Sequence, residues 1–234
     1  MEPMLSVEGL TVRLGGSTIL KNLTFSIAQG DNLAVIGPNG SGKTVLLKTL
    51  LGMFPHEGTF SWSPTARIGY VPQKIDADRH LPVSLRDLLL AKAHIYRRGS
   101  RDIAAAVKTI GLPPETITKP LGELSGGQFQ KALIVLALLG DPNVIIFDEP
   151  TASLDQRSEE HAYELMHRLQ DERGITVLLV SHDLGVISRY ATKVLCINKE
   201  QLCFGEPALA MDPAVLDRLY GAPHPHHPLH QHGN

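Results

Sequence analysis

Gly37–Thr44 reads GPNGSGKT, and this stretch decides the fold. It fits G-x-x-x-x-G-K-[ST], in the context that pattern requires. The apolar run NLAVIG precedes it and the helix-like TVLLKTLLGM follows, so a strand, a glycine-rich loop and a helix stand in βαβ order. Gly37, Gly40 and Gly42 let the backbone turn its N–H groups inward around an anion, with Pro38, Asn39 and Ser41 completing the cradle. The helix N-terminus adds partial positive charge. Lys43 supplies a full charge for terminal phosphates, and the Thr44 hydroxyl suits Mg²⁺. A bare glycine-rich turn is the plainer alternative, but strand, lysine and threonine all stand in register. The loop is expected to bind a nucleoside triphosphate.

Working outward, LSVEGLTVRL and ILKNLTFSI alternate as two short strands around Gly15-Gly16 and predict an antiparallel region at the N-terminus. VIIFDEP and TVLLVSHD are apolar runs that end in polar residues, as buried parallel strands do, and their carboxyl ends are the usual site in an α/β sheet. From about 82 to 139 the chain turns helical in spacing, through VSLRDLLLAKAHIYRR, RDIAAAVKTIG and LSGGQFQKALIVLALLG. DQRSEEHAYELMHRLQDERG predicts an amphipathic helix with Ala162, Leu165, Met166 and Leu169 on one face and Gly174 as its stop. The expected fold is α/β: a P-loop NTPase core with a mixed sheet, an N-terminal antiparallel β region and an inserted helical subdomain. Residues 1–220 form one domain on this reading, and 221–234 a disordered tail rich in histidine and proline.

Composition fits an ordinary globular chain of 234 residues, 43% hydrophobic and 20% charged. The formal net charge of −2 offers no surface for nucleic acid or anionic lipid. The longest apolar run, Ala132–Leu139, is far short of the ~20 residues that span a bilayer. MEPMLSVEGL lacks the basic and apolar regions of a secretory signal, so a reducing cytoplasm is the default. The two cysteines, Cys196 and Cys203, lie in VLCINKEQLCFGE, which reads as a hairpin. A two-residue turn at Lys199-Glu200 would set them opposite each other. A redox or metal-sensing pair is one reading, and two small buried apolar residues the plainer one.

LSGGQ, Leu124–Gln128, is physically a helix start: Ser125 and Gln128 have capping-box spacing, and Gly126 and Gly127 leave backbone N–H groups uncovered. Beyond it, Asp148 and Glu149 stand side by side at a strand end. Each of these residues has a bland reading, as does Gln73 in a loop or His182 at a strand end. Gathered around one phosphate loop, they favour a site.

With GPNGSGKT, VPQK, LSGGQ, VIIFDEP, SLD and VSHD in this order, the chain resembles the ATP-binding subunits of ABC transporters over nearly its full length. The resemblance implies an ATPase. Lys43 and the loop amides would hold the β- and γ-phosphates. Thr44 and Asp148 would hold Mg²⁺. Glu149 would be the general base, and Gln73 would sense metal and γ-phosphate. His182 would contact the γ-phosphate, and Asp155 would cross a dimer interface. Ser125, Gly126, Gly127 and Gln128 would close over the ATP of a second copy in a head-to-tail sandwich.

Two departures stand out. The first strand of such subunits carries an aromatic that stacks on adenine, and alignment puts Leu14 there, with Arg13 facing the other way. Arginines that usually follow the LSGGQ segment are replaced by Lys131 and Leu136.

IGYVPQKIDADRHLPVSLRDLL and KVLCINKEQLCFGEP are similar to the ATPases of zinc and manganese uptake systems. That likeness implies a multi-span permease partner, an extracytoplasmic metal-binding protein and a place at the cytoplasmic membrane face. His224, His226, His227, His230 and His232 in GAPHPHHPLHQHGN are candidate zinc ligands, since imidazole suits Zn²⁺ better than Mn²⁺. The rival reading from another class is a soluble ABC ATPase serving iron–sulfur cluster assembly.

Overall fold

A computed structural model describes residues 2–73, 83–149, 156–181 and 184–221, with backbone alone at 156–162 and 186. Asp155, His182 and the five tail histidines lie outside the described residues. The strands are β1 (Leu5–Leu14), β2 (Ser17–Ile27), β3 (Asn32–Ile36), β4 (Glu57–Trp62), β5 (Ile68–Val71), β6 (Val144–Asp148), β7 (Thr176–Val180), β8 (Lys193–Asn198) and β9 (Glu200–Gly205). The helices are α1 (Lys43–Leu50), α2 (Leu85–Ile95), α3 (Ser100–Ile110), α4 (Gly126–Leu138), α5 (Gln156–Arg173), α6 (Leu184–Tyr190) and α7 (Pro213–Tyr220).

Among the described residues, nine strands join one mixed sheet in the order β4-β1-β2-β9-β8-β3-β7-β6-β5. The block β8-β3-β7-β6-β5 is parallel, while β1, β2 and β4 pair antiparallel at the other end. β3 lies between β7 and β8 in the parallel block, and the phosphate loop begins at its carboxyl end.

Strand alternation sorts the core. On β6, Val144 and Ile146 face one layer, with α1 and the antiparallel strands, through Leu46, Leu47 and Leu20. Ile145 and Phe147 face the other, against Ala132, Leu133 and Val135 of α4 and Leu165, Met166 and Leu169 of α5. That explains why the buried strands carry no polar–apolar alternation: both faces are covered. Gly174 takes φ 60 as α5 stops, with its N–H donating to the Gln170 carbonyl at 2.8 Å.

The β8–β9 hairpin departs from expectation twice. Its tip is Lys199 alone, at φ 63, with Asn198 opposite Glu200 rather than a two-residue turn. A register shift then restores the facing of Cys196 and Cys203. Their Cα atoms lie 4.8 Å apart and the two are joined by a disulfide, so they are not the unlinked apolar residues of the plainer reading.

Candidate functional site

The phosphate loop is shaped by what it rests on. A Cβ on Gly37 would lie 2.0 Å from the Ile197 carbonyl oxygen of β8, and one on Gly42, at φ 102, would lie 2.5 Å from Leu20 of β2. Side chains are therefore barred on the inner side. Gly40, at φ 78, meets nothing within 4 Å and turns the loop over open space. Gly42 provides no side-chain cap for α1, so the first N–H groups of the helix have no side-chain partner and suit an anion. Lys199 N–H donates to the Ser41 carbonyl at 3.1 Å, and the Lys199 carbonyl accepts from Lys21 N–H at 2.8 Å.

Lys43 is 6% exposed. Its ammonium donates to the carbonyls of Gly37 at 2.9 Å and Pro38 at 3.1 Å and lies 3.7 Å from Glu149 Oε1. Every one of these partners can be exchanged for phosphate oxygens. Asn39 is exposed on the same loop.

Asp148 ends β6, buried, with both carboxylate oxygens engaged. Thr44 Oγ1 donates to Oδ1 at 2.9 Å, and the Tyr70 hydroxyl donates to Oδ2 at 3.2 Å. Burial raises the Asp148 carboxyl above the ordinary range, with the neighbouring Glu149 charge adding to it, while Thr44, Tyr70 and Lys48 pull it down. The Tyr70 phenol is also raised, by burial first and then by the Asp148 charge and hydrogen bond. Thr44 and Asp148 present converging oxygens with one carboxylate, a donor set that fits Mg²⁺.

Glu149 follows at φ 46, in the left-handed region, which turns its side chain away from the line of β6 and towards the loop. Gln73 Nε2 donates to Glu149 Oε2 at 2.7 Å. Gln73, Glu149 and Lys43 thus form one chain, beside a second made by Tyr70, Asp148 and Thr44.

Ser125–Gln128 form the expected capping box: Gln128 N–H donates to Ser125 Oγ at 3.3 Å and Ser125 N–H to Gln128 Oε1 at 3.1 Å. This leaves Gly126 and Gly127 uncovered at the start of α4, on a different element from the phosphate loop. Lys131, three residues past Gln128, donates to the Gly111 carbonyl at 3.2 Å, and Leu136 packs against the helical core. Leu14 lies at the end of β1, packed on the antiparallel core, while Arg13 pairs with Glu57 of β4. Tyr70 escaped the motif reading. Its signal was the alternation of Ile68 and Tyr70 on a strand, but its partner depends on the parallel register of β5 with β6.

The ABC transporter family model matches residues 20–152. The chain is 37% identical to the zinc import ATP-binding protein ZnuC of Cereibacter sphaeroides, over 93% of this chain and 88% of the relative. To the ZnuC of Pseudomonas putida it is 34% identical, over 99% and 91%. Among solved structures, an inward-facing ABC transporter assigned to the metal-chelate type superposes with a TM-score of 0.84 at 27% identity, covering 94% of this chain and 89% of that one. The chain cbiO1 of Clostridium perfringens, part of the complex cbiONQ, gives 0.76 at 25% identity, covering 93% and 94%. Phosphate loop, acid pair and serine-capped, glycine-rich helix start, together with these relatives, make one conclusion: the chain belongs to the ABC transporter family as an ATP-binding subunit that hydrolyses ATP.

Proposed function

We propose that this chain is the energy-coupling ATPase of an importer for a divalent transition metal, zinc first and manganese second. It would bind peripherally, on the cytoplasmic face of the membrane, to a multi-span permease fed by an extracytoplasmic metal-binding protein. The observation that carries the reading is the name of the two ZnuC relatives, zinc import ATP-binding proteins matched over 93% and 99% of this chain. Among the described residues no helix is long and apolar enough to cross a membrane, in keeping with a separate membrane partner.

The family resemblance, with the geometry of the described residues, supports the following division of labour. ATP phosphates displace the Gly37 and Pro38 carbonyls from the Lys43 ammonium, which then neutralises the β- and γ-phosphates beside the loop N–H groups. Thr44 and Asp148, together with Gln73, would hold Mg²⁺, which shields phosphate charge when bound. Glu149 orients and deprotonates the attacking water once Gln73 and Lys43 release its carboxylate. Ser125 caps α4 and Gly126 and Gly127 open it, an element other than the one that follows the phosphate loop, and they would serve the ATP of a second copy. His182 and Asp155 would complete that split site at the γ-phosphate and the dimer interface. Leu14 would give the base apolar contact in place of stacking.

The histidines at 224, 226, 227, 230 and 232 would bind cytoplasmic zinc and act as a feedback brake. Calorimetric titration of the full chain and of one ending at Tyr220, with Zn²⁺ and then Mn²⁺, tests the tail. Tight zinc binding that truncation abolishes is expected, and equal binding by both chains would end the idea. The main reading is tested by recovering the chain with its membrane partner and measuring ATP-driven uptake of Zn²⁺ into vesicles. Recovery with soluble scaffold proteins instead, and no uptake, would overturn it.

A further inference from the structure

β5 and the residues just past its end touch the acid pair twice. Tyr70 reaches Asp148 Oδ2 at 3.2 Å, and three residues on, where the chain leaves the strand, Gln73 reaches Glu149 Oε2 at 2.7 Å. The two acids are themselves adjacent, so the strand end that carries Gln73 is fastened to the strand end that carries the acids by two parallel contacts. Register explains the first of them. Tyr70 lies beside Ile146 in the parallel pair, and both side chains face the α1 layer. Asp148, two residues further along β6, shares that face, within reach of a side chain the length of tyrosine. Val71 points the opposite way, into the helical layer.

Asp148 therefore has a donor on each oxygen. Thr44 holds Oδ1, and only one other described side chain, Tyr70, holds Oδ2. A carboxylate with one oxygen tethered can still swing about its last bond; with both tethered its plane is set.

We propose that Tyr70 is a positioning residue for the metal-binding carboxylate: its hydroxyl fixes the plane of Asp148, so that Oδ1 stays beside Thr44 where the cation of Mg·ATP belongs. It also links that carboxylate to the strand leading to Gln73. The inference rests on the reading of Thr44 and Asp148 as the Mg²⁺ site.

The test is calorimetric titration of ATP into wild type and Tyr70→Phe, once in Mg²⁺ and once in EDTA. The Phe variant keeps the ring that packs on the core and removes only the hydroxyl. The expected result is that the tightening of ATP by Mg²⁺ falls by about tenfold, the worth of one hydrogen bond to a charged group. Affinity in EDTA should stay within about twofold, as only the metal side is touched. A merely structural tyrosine would weaken both titrations equally, and that outcome overturns the proposal, as does an unchanged ratio. If wild type itself gains nothing from Mg²⁺, the Thr44–Asp148 metal reading fails and takes this inference with it. A second comparison guards against altered folding. In an Asp148→Asn background, Tyr70→Phe should leave the Mg²⁺ ratio unmoved, and a full further loss there would refute the link.

Discussion

Gln73 donates to Glu149 across 76 residues of sequence, at 2.7 Å, while Lys43 lies 3.7 Å from the other oxygen of the same carboxylate. The proposed general base is therefore held between the Gln73 segment and the phosphate-loop lysine. Substituting Glu149→Gln should slow steady-state hydrolysis by about 10²–10⁴, the usual worth of general-base help, while ATP still binds. Size-exclusion chromatography in saturating ATP should then show a dimer. A variant that stayed monomeric would argue against the shared site.

Lys43 is buried and satisfied by two loop carbonyls and a carboxylate, so its removal does more than delete a surface charge. Lys43→Ala should weaken ATP binding by roughly 10- to 100-fold, the range for losing a charged hydrogen bond to phosphate. Titration of a fluorescent ATP analogue measures this directly, and an unchanged affinity would move the phosphate site elsewhere.

Gly37 tolerates no side chain, because its missing Cβ would fall on the Ile197 carbonyl. Gly37→Ala should lower folding stability by about 1–3 kcal/mol, as overpacking does, with the loss read from chemical denaturation midpoints. Gly40→Ala meets no neighbour but sits at φ 78, so its smaller loss would come from backbone strain alone.

Leu14 cannot stack on a base as an aromatic ring does. ATP and GTP should therefore bind with similar affinity, and Leu14→Tyr should tighten ATP by an amount approaching the ~1–3 kcal/mol of base stacking. Paired titrations of both nucleotides on both chains decide this. A strong preference for ATP in the wild type would show that another residue reads the base.

Much of this was legible in the sequence because the decisive signals are local. The GPNGSGKT pattern needs only its own glycines and the strand before it, and the Ser125–Gln128 box closes within four residues. What stayed hidden depends on register. Tyr70 sits in a short strand whose sequence names no partner; its hydroxyl matters only because β5 runs beside β6 and sets it two residues short of Asp148. The hairpin tip was misjudged for a related reason. Lys199 at positive φ and a compensating shift at Gln201–Cys203 are an arrangement that turn chemistry alone, without a glycine to mark it, does not announce. Leu14 packs on the antiparallel core while its neighbour Arg13 pairs with Glu57.

The tip of that hairpin has one more consequence. Through a single residue, Lys199, the backbone of β2 is stitched to the backbone of the phosphate loop, from Lys21 N–H to the Lys199 carbonyl and from Lys199 N–H to Ser41. β2 in turn carries β1, whose last residue is Leu14. The span from the strand edge at Leu14 to the phosphate loop is thus held by main-chain bonds. A nucleotide that reached from that edge to the loop, as proposed for Leu14, would meet a length already set, at no cost in ordering those bonds.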